Sequence, residues 1–241
     1  MTDTIAAKPD LARETPPSDM RVSDLTAGGA AIALGSLGVT ATGVLYALSP
    51  PATALPAQPF DQALALAGAV AGARTTFAAG TVGIFSDIVM AAGALLVALE
   101  LARHSRGIAV AGWIAILLSL VVFTFVDAIV GYVLGPVAAM PDGAGAFTAF
   151  KCLFDVLFLL GTTAFGTGAM LALMNEMQSA APIMSKPVAV AVAGALAGLA
   201  GVLAAAACFA GFPLEQAVGI SIGLGSAIFA AIGAQIMWRP R

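Results

Sequence analysis

The chain has 241 residues, 60% of them hydrophobic and only 10% charged, with a mean hydropathy of +1.01 and a formal net charge of −3. A soluble domain carries about 25% charged residues, so too little polar surface is present for a protein surrounded by water. No Lys/Arg cluster speaks for nucleic acid, and two cysteines with one histidine argue against a Cys/His zinc site and exclude a haem held by two of the chain's own histidines.

Residues 1–24 form a segment of different character, with Asp3, Lys8, Asp10, Arg13, Glu14, Asp19, Arg21 and Asp24 among Pro9, Pro16 and Pro17. Such a stretch buries too little apolar surface to fold alone and is expected to be a flexible tail. The apolar run that follows, Leu25–Leu48, is much longer than the roughly 7–15 residues of a signal-peptide core. It therefore reads as an uncleaved first span, although Ala52-Thr53-Ala54 resembles a small-residue cleavage site. About 20 apolar residues cross a bilayer as a helix, and five further segments qualify: Ala78–Leu101, Ile108–Leu134, Phe147–Met174, Val188–Phe212 and Ala217–Met237. The expected fold is all-α: a bundle of six transmembrane helices over residues 25–238, with 239–241 as a short cytoplasmic end. The outer loop 49–77 contains "FDQALALAGAVAGAR", which predicts a short surface helix capped by Asp61.

Positive charge sets the orientation. Lys8, Arg13, Arg21, Arg103, Arg106, Lys186, Arg239 and Arg241 fall on one side if both termini are cytoplasmic, against Arg74 and Lys151 on the other. Trp113 and Trp238 are then expected at the inner interface, and Tyr46 and Tyr132 at the outer one. Within this topology Asp87, Asp127 and Asp155 all fall roughly 10–14 Å below the outer boundary, and Lys151 roughly 6 Å below it. Each acid lies on a stripe of small or polar residues: Gly80, Gly83, Asp87, Ala91 and Ala94; Thr124, Asp127 and Gly131; Lys151, Asp155, Thr162 and Gly166. Small stripes are the faces on which membrane helices meet, so Asp87, Asp127, Lys151 and Asp155 are expected to form one polar cluster. Lys151 and Asp155, one turn apart, are expected to pair. With carboxylates in excess, one acid is expected to retain its proton. The cluster reads either as a site for a proton, cation or ligand or as a hydrogen-bond network that locks the bundle.

Glu100 and Glu176 are expected at solvated helix ends, with His104 in a cytoplasmic turn. Gly194-xxx-Gly198 and Gly219-xxx-Gly223 permit close helix contact, inside the chain or between copies. No catalytic motif, nucleotide loop, metal-binding pair or cofactor motif is present in the sequence. Cys152 and Cys208 both fall near the outer side, where a disulfide or two free thiols are open alternatives.

The stretches "PFDQALALAGAVAGARTTF", "GIFSDIVMAAGALLVALELAR", "FVDAIVG" and "LFLLGTTAFGTGAML" resemble a bacterial six-helix membrane family catalogued only as a domain of unknown function. The resemblance covers roughly residues 25–238 and implies architecture without an activity. Asp127 stands near where that family often carries a glutamate, and Lys151 has no counterpart in it. The leading functional expectation is a non-enzymatic protein of the bacterial inner membrane: an accessory, scaffold or partner-binding subunit, embedded in the lipid bilayer and able to meet a membrane-protein partner or a second copy. The alternative is a transporter or sensor for a proton, cation or small amphipathic ligand. A lipid-modifying enzyme ranks third. The charge bias makes one expectation directly measurable: a C-terminal reporter that is active only in the cytoplasm gives signal, and one active only in the periplasm stays silent.

Overall fold

The computed structural model describes residues 18–48, 61–180, 182–210 and 221–238, and the elements in these stretches are all helical. Helix α1 is Ser18–Ala47, α2 Gln62–Arg103 and α3 Gly107–Ala128. A π-helical turn, Ile129–Leu134, leads from α3 into the short α4, Gly135–Ala138. Helix α5 is Ala144–Met177 and α6 Pro187–Phe209, and after the π-helical Ser221–Gly225 comes α7, Ser226–Met237. Five stretches are long and apolar enough to cross a membrane: Asp24–Ala47, Gln62–Arg103, Gly107–Ala138, Ala144–Met177 and Pro187–Cys208. The sixth expected span is represented by a shorter apolar helix, Gly223–Met237, and its expected start at Ala217 lies outside the described residues.

Two boundaries differ from the sequence reading for identifiable reasons. The stretch expected as a separate surface helix is the beginning of α2. Asp61 does cap it, accepting the Leu64 amide at 3.0 Å, but nothing in Arg74-Thr75-Thr76 breaks the helix, because Thr76 turns its hydroxyl back to the Gly72 and Ala73 carbonyls. The result is one helix of 42 residues, about 63 Å long. The third span, expected to stop at Leu134, continues through Pro136 to Ala138. A proline ring collides with the carbonyl four residues back and leaves it without a donor. The π-helical turn immediately before Pro136 widens the backbone at that point and lets the helix pass.

The helices form a ring. Helix α2 packs on α1 and α3, α3 on α5, α5 on α6, and α7 closes the ring against α1 and α6. Its interior is apolar, with Ile32, Val97, Leu101, Ile116, Leu173 and Ile232 among its fully buried members. The outward faces are equally apolar, with Leu34, Phe85, Leu118, Val156, Leu196 and Leu203 exposed. Hydrocarbon outside is as good a solvent for leucine as the core, so side-chain hydrophobicity gives little drive for helix association and close backbone packing must supply it.

That packing rests on glycine pairs at five interfaces. Gly29 meets Gly233 between α1 and α7, Gly28 meets Gly93 between α1 and α2, and Gly80 meets Gly131 between α2 and the π-turn after α3. Gly112 meets Gly168 between α3 and α5, and Gly166 meets Gly198 between α5 and α6. A Cβ on Gly112 would lie 2.5 Å from the Ala172 amide nitrogen and 2.7 Å from the Gly168 carbonyl. Both are backbone atoms that cannot turn aside. Of the two glycine motifs in the last two spans, Gly198 is spent on Gly166 and Gly194 on Leu173, Gly223 has open space beside it, and Gly219 lies outside the described residues.

Trp113, expected at the membrane interface, is 2% exposed. Its ring stands edge-on to Phe229 at 6.4 Å, because its position on α3 faces the ring interior and small neighbours leave room for an indole. Trp238 is 70% exposed. Overpacking a tight helix contact costs about 1–3 kcal/mol, so Gly112→Val is expected to lower the thermal unfolding midpoint in detergent, whereas Gly145→Ala, with open space around it, is expected to leave it unchanged or raise it.

Candidate functional site

The buried charged residues fall into three groups at different places in the ring. The first lies where α1, α2 and α3 meet. Asp87 is 3% exposed and Asp127 9%. Asp127 follows helically from the apolar Val-Val-Phe stretch of α3 and turns toward α2, where Gly83 leaves a notch for it. A Cβ on Gly83 would overlap Asp127 Oδ2 and Cγ. From the last turn of α1 the Tyr46 hydroxyl donates to Asp127 Oδ1 at 2.9 Å. Asp87 follows Gly83 by one helical turn, so it lies on the same face of α2 as the notch that receives Asp127. Asp87 Oδ2 is buried and has no hydrogen-bond partner among the described residues. No lysine or arginine pairs with either acid among the described residues.

The second group is Lys151 and Asp155 on α5. Lys151 Nζ donates to both Asp155 carboxylate oxygens, at 2.7 and 2.6 Å, as one-turn spacing anticipates. It also lies 6.0 Å from the centre of the Phe154 ring. Lys151 is buried and the Asp155 side chain is one-third exposed. Cys152 and Cys208 are both free thiols, Cys152 exposed and Cys208 half-buried.

The four residues expected as one cluster are thus arranged as two pairs, with no hydrogen bond or ion pair between the pairs among the described residues. The cause is azimuth. Helix α3 presents Asp127 to α2, while its Val126 and Ile129 meet Phe154 and Phe158 of α5 in an apolar cluster. That cluster occupies the α3–α5 seam through which the two pairs would have to meet. Tyr46, expected to anchor the outer interface, points its hydroxyl inward to Asp127.

The third group sits at the opposite end, which bears Arg103, Arg106 and Lys186. Glu176 is 3% exposed. One carboxylate oxygen takes Arg106 Nη2 at 2.8 Å, and the other accepts the Ile183 and Met184 amides of the α5–α6 connection, the latter at 3.2 Å. Arg106 also holds Asn175 Oδ1 through Nε at 3.1 Å and Nη2 at 3.0 Å. Glu100 is 4% exposed and pairs with Arg103 at 2.7 Å, and Arg103 reaches Asp24 of α1 at 3.6 Å. Both glutamates were expected in solvent at helix ends. They are buried because the turns they border fold back over them: α2 ends in a left-handed Ser105, φ 56°, and the α5–α6 connection is drawn onto Glu176. Only the i,i+3 spacing of Glu100 and Arg103 hints at this in the sequence. His104 holds the Glu100 carbonyl at 3.0 Å and remains half exposed.

Thr162 of α5 is 2% exposed, and its hydroxyl has no partner among the described residues. It borders a narrow cleft of about 20 Å³ with Phe165, Gly198, Gly201 and Phe229. Among the described residues no group of three or more His, Cys, Asp or Glu could hold a metal ion.

The architecture is that of an apolar helical bundle of the membrane type. No family model, curated protein or solved structure matches the chain.

Removing one member of a buried ion pair costs about 3–5 kcal/mol in soluble proteins. Glu176→Ala is therefore expected to lower the unfolding midpoint in detergent strongly. Glu176→Gln keeps an oxygen acceptor for the Ile183 and Met184 amides and is expected to fall between Glu176→Ala and the wild type.

Proposed function

We propose that this chain is a non-enzymatic integral protein of the bacterial inner membrane, with both termini cytoplasmic, that binds a proton or small cation at Asp87 and Asp127 and serves as a sensor or transporter for it. The observation that carries this reading is a pair of carboxylates on one face of the α2–α3 seam, Asp127 lodged at Gly83 one turn from Asp87, each at least nine-tenths buried and with no cation paired to it among the described residues. Two carboxylates close together in a low-dielectric setting cannot both stay ionised without a positive partner. The site must therefore take up something positive, and intramembrane acids that do so are the ones found on ion and proton pathways. The Lys151–Asp155 pair is different in kind, since it neutralises itself.

A second reading, an accessory or partner-binding subunit, draws support from the beginning of α2, where Leu64, Val70 and Phe77 are exposed. It loses ground on the glycines, because those at the described interfaces are occupied within the chain. Proton or cation uptake by the purified protein in lipid nanodiscs separates the two. The expected outcome is uptake on acidification that Asp87→Asn and Asp127→Asn each abolish and Asp155→Asn leaves in place. Uptake indifferent to the first two variants, or none at all, returns the accessory reading to first place.

A further inference from the structure

The geometry around Asp127 distinguishes among the positive ligands that the proposed function leaves open. Asp127 lies so close to α2 that its carboxylate takes the space a Gly83 side chain would occupy. Gly80 and Gly131, on either side, are in mutual backbone contact. These three glycines bring no side-chain oxygen, and metal cations such as Ca²⁺ or Mg²⁺ demand about six oxygen ligands or more. Helix α1 adds the Tyr46 hydroxyl and, one turn before it, the buried Thr42 hydroxyl, and α2 adds that of Ser86; the last two are turned to carbonyls of their own helices, Gly38 at 3.1 Å and Val82 at 2.6 Å. A proton needs no coordination shell: two carboxyl oxygens suffice. The remaining polar groups nearby are engaged elsewhere. On the π-turn the Tyr132 hydroxyl is hydrogen-bonded with Thr81 at 2.8 Å, and on α5 Lys151 and Asp155 hold each other. Arg74 of α2 is exposed, several turns from Asp87.

Tyr46 differs from both acids in position. It sits in the last turn of α1 and is half-buried where they are fully buried. Its hydroxyl is the hydrogen-bond partner of Asp127 in the structure.

Building on the reading of Asp87 and Asp127 as a binding site, we propose that its ligand is a single proton shared by the two carboxyl groups, and that Tyr46 is the relay through which it enters and leaves. An arriving proton bonds to the Tyr46 oxygen while the hydroxyl's own proton moves along the hydrogen bond to Asp127 Oδ1. Only O–H bonds form and break, and the net change is one proton gained by the carboxyl pair. Asp87 Oδ2, buried one turn from the Gly83 notch, has no hydrogen-bond partner among the described residues. Tyr46 is here a positioning and relay residue, and the carboxyl pair alone holds the ligand.

Infrared absorption of the protonated carboxyl C=O stretch reports the bound proton, and its rate of hydrogen–deuterium exchange reports the route. Full-length protein in lipid nanodiscs is expected to show a carboxylic band at neutral pH that the Asp87→Asn/Asp127→Asn double variant lacks and that added sodium leaves intact. In Tyr46→Phe the band is expected to persist at a shifted frequency, with exchange slowed at least about tenfold, the effect of about 1.4 kcal/mol in the barrier. Exchange at the wild-type rate in Tyr46→Phe overturns the relay and leaves the binding site standing. Loss of the band on adding sodium overturns the proton as sole ligand. The absence of any carboxylic band that depends on the pair overturns the relay and the proposed function together. Should Tyr46→Phe fail to fold, fluorotyrosine incorporated in a Tyr132→Phe background leaves Tyr46 as the one labelled site, the chain having two tyrosines. Its more acidic hydroxyl is expected to alter the exchange rate, and an unaltered rate overturns the relay.

Discussion

Backbone-to-backbone contact at glycine is the constraint on which the rest of this molecule depends. In a medium where leucine is as comfortable outside as inside, helices are held by the number of atoms they can bring into van der Waals range. The glycine pairs at five seams of the ring bring carbonyls and α-carbons together where any Cβ would intervene. The large side chains then fill what the close seams leave. Phe229 stacks between Trp113 and Phe165, with ring centres 6.4 and 4.6 Å away, and Phe123 continues the series toward Phe158 and Phe154.

The polar groups inherit their geometry from those seams. Asp127 can turn its carboxylate into α2 only because residue 83 has no side chain, and the neighbouring Gly80–Gly131 contact holds the two helices at that separation. At the other end the connecting segments are tied by side chains to the helices. Glu176 gathers two backbone amides and an arginine, and Gln235 of α7 accepts the Ser185 hydroxyl and the Lys186 amide, the latter at 3.1 Å. Connections held this way need few residues, which suits a bundle whose helices are already in register.

What could be read in the sequence and what could not divide along a physical line. Hydropathy and length register which residues sit in an apolar medium, so the long spans, the Asp61 cap and the one-turn Lys151–Asp155 pair were all legible. Rotation about the helix axis was not. Whether Asp127 faces α2 or α5 depends on which neighbour has a gap at that level, and that gap is Gly83, forty-four positions earlier in the chain. The same blindness sent Trp113 and Tyr46 to the interface by residue type, although one fills the core and the other reaches an acid. It also left Glu100 and Glu176 in solvent, since the burial of a helix end is decided by the loop that returns over it.

The uninterrupted length of α2 has a mechanical consequence for the surrounding lipid. Leu64 and Leu99, near its two ends, are both exposed apolar side chains, and thirty-five residues of helix put them about 53 Å apart. A hydrocarbon layer about 30 Å thick could contain both only if the helix leaned well beyond the roughly 0–40° found among membrane helices. Arg74, exposed between them, belongs in water or headgroups, so part of α2 has to stand clear of the hydrocarbon, while the shorter α6, of 23 residues, needs no such overhang. On that side the lipid headgroups meet a rigid helical post in place of a loop.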